Sequence, residues 1–208
     1  MFSLLAFFGC SNSSMPSTST TTFFPLQPGE HWVYSITDFD SLGQVLRVRL
    51  DTITVLTASS ALRPGWMPLV HSNQEFLYDT NWMLMRTDGL WQWPRYDPSP
   101  SLLCKYPTTV GDTFGLVENF PIDTSGPFTA AFIKTVSTAK QITTPAGTFT
   151  CIEYACLKEQ LDRNSSAVTH TDTISTRLLS PGVGDIDFRY YYPAGYPKHV
   201  QEWLLIAR

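Results

Sequence analysis

In residues 44–56, Leu46, Val48 and Leu50 alternate with Arg47, Arg49 and Asp51, and this alternation constrains the fold more than any other feature of the chain. A period of two puts successive side chains on opposite faces of an extended strand, whereas a helix would mix the two sets around its girth. The segment reads as one strand of an antiparallel sheet with a buried side and a wet side, the aliphatic trio on the buried one. Comparable segments recur at 32–37, 67–78, 82–86, 90–93, 128–142, 148–158, 168–179, 185–192 and 199–207, dense in aromatic and β-branched residues. Turn signals separate them: Ser41-Leu42-Gly43, Asp79-Thr80-Asn81, Asp88-Gly89, Thr144-Pro145-Ala146-Gly147 and Ser180-Pro181-Gly182-Val183-Gly184. Pro94, Pro98, Pro100 and Pro107 mark an irregular crossing, and a short helix has room at 57–64 or 100–106. The expectation is an all-β fold: an antiparallel meander curving into a barrel, half-barrel or sandwich, with little helix. Residues 23–208 form its single domain, a length common for sandwiches and barrels.

The N-terminus is of another kind. The first 29 residues carry no charge, and residues 2–8 are a short apolar run ending at Gly9-Cys10. That run cannot cross ~30 Å of hydrocarbon as a helix, but it fits the apolar region of a signal peptide covering residues 1–9. Residues 11–22 are rich in Ser and Thr and cannot bury apolar area, which suits a flexible tether. Phe7-Phe8-Gly9-Cys10 resembles the lipobox of bacterial lipoproteins, with Phe7 where that family has Leu and no Lys or Arg ahead of the apolar run. The resemblance implies cleavage before Cys10 and a diacylglycerol on its sulfur. The other reading of the same residues is a buried N-terminal strand with an incidental Cys.

Further motifs resemble those of uncharacterised bacterial envelope lipoproteins. They are Phe24-Pro25-Leu26-Gln27-Pro28-Gly29-Glu30-His31-Trp32-Val33-Tyr34, the Tyr106 to Phe114 segment, Thr144 to Phe149, and Ser180 to Gly184. Together they run the length of the mature chain. What they imply is an extracytoplasmic β domain, held at the bacterial cell envelope with the membrane as partner through a lipid on Cys10. They imply no chemistry.

Composition and motif searches narrow the function by exclusion. Charged residues make up only 15% of the chain and the net charge is −4, without a basic block. Phosphate backbones need clustered Lys and Arg, so no nucleic acid is expected as partner. Asp38-Phe39-Asp40-Ser41-Leu42-Gly43 begins like a calcium loop, but Leu42 and Arg49 occupy ligand positions, and a hairpin turn is the better reading. Asp185 and Asp187 share a strand face and read as its wet side. His31, His71, His170 and His199 are scattered and read as structural or surface residues. No metalloprotease, nucleophile-elbow or phosphate-loop pattern occurs, so no enzyme, cofactor or metal is expected. Of the four Cys, Cys151 and Cys156 lie five apart on one strand and point to opposite faces. Either one of them bridges Cys104 or all three are free thiols packed as small hydrophobes.

The aromatic hairpin is the remaining signal. Trp82, Trp91, Trp93 and Tyr96 lie in or beside it, with Trp91 and Trp93 on one face and Met83 and Met85 across from them. Such a cluster is either ordinary core or a binding surface. The first functional expectation is a non-enzymatic envelope lipoprotein that holds a lipid or other apolar ligand in a curved sheet, against these residues. The second is a scaffold or recognition module that binds a protein or glycan through an exposed sheet face. A hydrolase with a scattered site is the third. An apolar interior cavity would favour the first, and surface tryptophans over a filled core the second.

Overall fold

The computed structural model describes residues 22–58, 63–73, 80–94, 98–117, 128–162, 165, 167–193 and 196–208. Among them are twelve strands: β1 (His31–Phe39), β2 (Val45–Val55), β3 (Met67–His71), β4 (Asn81–Arg86), β5 (Gly89–Pro94), β6 (Ser101–Lys105), β7 (Thr113–Val117), β8 (Phe128–Thr144), β9 (Gly147–Leu161), β10 (Val168–Ser180), β11 (Gly184–Tyr191) and β12 (Val200–Ala207). All belong to one antiparallel sheet in the order β6-β5-β4-β3-β2-β1-β12-β11-β10-β9-β8-β7. Two six-strand meanders are thus joined where the first strand pairs with the last, Tyr34 opposite Leu205 and Asp38 opposite Gln201. The free edges, β6 and β7, approach one another: a Cβ on Gly115 of β7 would stand 3.1 Å from the Leu102 carbonyl of β6. The expected all-β meander is therefore a nearly closed barrel.

Local chemistry accounts for the turns. The Asp40 carboxylate accepts from the Leu42 and Gln44 amides, both at 2.8 Å, closing the β1–β2 hairpin as an Asx turn rather than a calcium loop. Gly89 opens β5 at φ +140°, and a Cβ there would stand 2.1 Å from the Cys104 carbonyl, so only glycine lets β6 approach.

Two expectations need correction. The proline-rich crossing contains β6 and β7, and where a helix had room at 100–106 the chain runs as strand from 101 to 105. Pro100 and Pro107 bracket β6 without entering it, so no ladder hydrogen bond is lost. The second correction concerns β2, whose faces are reversed. Leu46, Val48 and Leu50 are 52, 57 and 61% exposed, while Asp51 is buried and Arg49 nearly so. The register explains it: buried Tyr34 and Ile36 pair with Asp51 and Arg49, so the charged set shares the interior with the core. The expected strand at 67–78 is β3 as far as His71, and 74–79 lie outside the described residues.

The interior is graded along the barrel. On β1 the buried positions run Trp32, Tyr34, Ile36, Asp38, from apolar to charged. Phe23 and Phe24 pack at the Trp32 end, where Trp32 Nε1 donates to the Val183 carbonyl (2.6 Å) and Phe23 stacks on Tyr106. Val55, Leu69, Met83, Leu90, Ile186 and Leu205 complete this apolar half.

Candidate recognition face

Period two divides β4 and β5 into two sets. Met83 and Leu90 are buried in the core and Met67 and Met85 pack against it. The opposite side carries Trp82 across from Trp93 and Leu84 across from Trp91, with Arg86 in the same phase. The methionines accordingly sit across from Gln92 and Leu90, on the other face from the tryptophans. Trp66, immediately before β3, is buried yet belongs to no part of the core cluster.

What buries Trp66 is a row of stacked side chains on the outside of the barrel. Arg63 lies over Trp93 at 4.2 Å and over Trp82 at 5.5 Å, and its Nη1 donates to the Trp93 carbonyl (2.7 Å). Trp66 meets Trp93 edge-on with ring centres 5.6 Å apart. Arg86 lies over Trp91 at 4.3 Å and over Trp66 at 5.7 Å. Trp91 Nε1 donates to the Asp88 carboxylate at 2.8 Å. The row runs Trp82, Arg63, Trp93, Trp66, Arg86, Trp91. Each guanidinium over an indole is worth about 0.5–1 kcal/mol at an exposed site, so the row holds its own geometry. Chemically it offers half-buried indole surface beside planar donors already fixed in orientation, the side-chain types that dominate binding energy in interfaces.

Three of the four expected ligand residues, Trp82, Trp91 and Trp93, are thus brought together, while Tyr96 and Cys10 lie outside the described residues. Arg63, Trp66 and Arg86 were missed. Arg86 was legible, since Trp82, Leu84 and Arg86 alternate in one phase; Arg63 and Trp66 reach the face only through the loop before β3.

The charged half of the interior is a second candidate. Asp38 receives Arg49 Nη1 at 2.7 Å, Arg47 Nη2 at 3.3 Å and Gln201 Nε2 at 2.9 Å. Burial pushes its carboxyl up, but the hydrogen bonds from Gln201 and Arg49 outweigh that and hold it below the ordinary value. Asp51 accepts from His71 Nδ1 (2.5 Å), the Asn73 amide (2.9 Å) and Ser72 Oγ (3.2 Å). Burial again opposes, and the His71 and Asn73 bonds again prevail, so this carboxyl too is held low. His71 packs edge-on against Trp203, whose Nε1 donates to Gln201.

Asp185 and Asp187 do not form a wet strand face. Ile186 is the extra residue of a β-bulge opposite Leu178 and Leu179, and it sends the two carboxylates to different partners. Asp185 lies 3.3 Å from Arg177, and Asp187 lies 3.3 Å from Arg189. Burial pushes both carboxyls up against the pull of those arginines. Arg177 Nη1, 3.3 Å from Asp185 Oδ2, and the other carboxylate oxygen Oδ1 are buried without a hydrogen bond. Cys104, Cys151 and Cys156 are free thiols, and burial pushes Cys104 up to about 12 and Cys151 to about 11. These are paired charges and inert thiols, an arrangement that holds the interior together.

Among solved structures, the chain resembles a candidate lipoprotein from Parabacteroides distasonis, with 16% identity and a TM-score of 0.42 over 90% of this chain and 98% of the other. It also resembles a candidate exported protein with a YmcC-like fold from Bacteroides fragilis, with 13% identity and a TM-score of 0.41 over 90% of this chain and 98% of the other. No family model matches the chain, and no curated protein matches it in sequence. Likeness this slight leaves the functional reading to the site itself.

Proposed function

We propose that this chain is a non-enzymatic lipoprotein of the bacterial cell envelope, anchored through Cys10, whose Trp–Arg face on β3 to β5 binds a protein or glycan. One observation carries the reading: Trp82, Trp91 and Trp93 stand on the outside of the barrel, interleaved with Arg63 and Arg86. The alternative of an acyl chain held inside against these tryptophans has less support. Met83 and Leu90 fill the interior beneath the hairpin, and further along it is occupied by the Arg49–Asp38 ion pair and the His71–Asp51 hydrogen bond.

Anchoring is supported by the lipobox-like run at Phe7 to Cys10 and by the charge-free Ser/Thr tether behind it. In cells, the Cys10→Ser chain leaves the membrane fraction; continued retention would remove the anchor from this reading. Recognition is tested by photo-crosslinking in intact cells from position 84, between Trp82 and Arg86 on the face, and by binding to an array of bacterial surface glycans. Truncating a central anchor such as Trp91 costs about 2 kcal/mol or more of binding, some thirtyfold. The expected result is a partner or glycan bound by the wild-type chain and lost in Trp91→Ala and Arg86→Ala. Binding that both variants retain in full would sink the assignment.

A further inference from the structure

Exposed apolar side chains are ordinary when scattered, but here five crowd into one hairpin. Leu42 at the β1–β2 turn is 80% exposed and Val45 58%, followed by Leu46, Val48 and Leu50 along the outer side of β2. A contiguous row of this kind marks an interaction surface. The β1 residues paired with Leu50, Val48 and Val45 are Ser35, Thr37 and Phe39, so the patch carries no charge across both strands. The charges of β2, at Arg47, Arg49 and Asp51, alternate with it and face Asp38 or His71.

We infer that this patch docks on a lipid surface, the barrel lying with the outer side of β2 against the bilayer. The inference rests on the reading of Cys10 as the anchor, because the tether supplies the geometry. Phe23 is held at the end of the barrel opposite Leu42, its carbonyl accepting from the Gly182 amide at 3.1 Å. The nine residues of β1 between those ends span ~30 Å. The thirteen residue steps from Cys10 to Phe23 reach at most ~45 Å, long enough to leave any side of the barrel on the membrane. At the Leu42 end, Arg47 and Lys198 turn to Asp38 on the other side of the strands, which leaves the patch itself apolar. Leucine and valine then enter the region between headgroups and acyl chains, where binding grows with the apolar area buried.

The test is co-sedimentation of the mature chain, from residue 10 and carrying Cys10→Ser, with vesicles of phosphatidylethanolamine and phosphatidylglycerol. This protein keeps every described residue and has no lipid of its own. It sediments with the vesicles, and the Leu46→Thr, Val48→Thr, Leu50→Thr triple variant partitions at least about tenfold less, with an unchanged thermal melt. Leu42→Ser, at the turn and outside any strand, gives the same readout if the triple variant fails to fold. Absence of vesicle binding, or equal binding by the variants, overturns the inference. So does a dimer in sedimentation velocity that the triple variant abolishes, which assigns the patch to a second copy of the chain. Failure of the anchor is read separately, from fractionation of cells carrying Cys10 or Ser at that position.

Discussion

Replacing Asp51 by Asn, and separately Leu50 by Ala, perturbs two neighbours whose roles the fold exchanges. Asp51 is buried and accepts from His71 Nδ1, the Asn73 amide and Ser72 Oγ. Asn preserves the shape but loses the charge, and with its oxygen kept toward the Asn73 amide its nitrogen faces His71 Nδ1, which can accept only by moving its proton to Nε2. Hydrogen bonds to a charged group are worth about 1.5–3 kcal/mol each. The serine hydroxyl can rotate away, leaving two bonds weakened or lost, so the expected cost is about 3 kcal/mol. Leu50 is 61% exposed. Full burial of a leucine is worth about 1.5–3 kcal/mol, and the covered fraction of this one leaves less than about 1 kcal/mol for Leu50→Ala. Urea unfolding followed by tryptophan fluorescence reads both. With an m-value of about 2–3 kcal/mol/M, Asp51→Asn moves the midpoint by about 1 M and Leu50→Ala by less than about 0.4 M. A Leu50→Ala cost equal to or above that of Asp51→Asn would refute the inverted strand.

Two further outcomes follow from the fold. Gly89→Ala puts a Cβ 2.1 Å from the Cys104 carbonyl at a positive φ, so β6 must separate from β5; the soluble yield collapses or the melting temperature falls by at least about 10 °C, and a normal melt contradicts the close approach. In acid, Asp38 and Asp51 behave as depressed carboxyls: the stability they contribute is present above the ordinary value of about 3.9 and is lost as pH falls through it toward the folded values. The acid limb of the urea midpoint is therefore shallower in Asp51→Asn than in the wild type, and superimposable limbs would falsify the pairing. Asp185 and Asp187, whose carboxyls burial raises, act with the opposite sign and lose stability as pH climbs above the ordinary value.

The recognition face was partly readable in the sequence. Trp91 and Trp93 are two apart and must share a side, and Trp82 with Arg86 follows by the same count along β4. Arg63 and Trp66 carry no such signal, because a loop residue has no period and only the approach of that loop to the hairpin stacks them on Trp93. The short strands β6 and β7 were hidden for a related reason. Prolines around them look like interruption in a linear reading, yet they flank β6 without costing it a hydrogen bond.

Outside the proline-rich crossing, sequence alone determines where this chain is extended and where it turns, since both depend on a few neighbouring residues: β-branched alternation in the strands, and Asp40, Gly89 or Pro181-Gly182 at the corners. It also determines that β1 and β2 each have two chemically distinct sides. Which side turns inward is a property of closure. Once β12 pairs with β1, Ile36 and Arg49 share the interior, and Gln201, Arg49 and His71 are in place to satisfy Asp38 and Asp51 there. A buried charge is tolerable only when such partners surround it, and for Arg49 and Asp51 of β2 they come from β1 and β3, which no local pattern connects. The tertiary structure alone therefore decides that the leucines of β2 face outward and its charges face in.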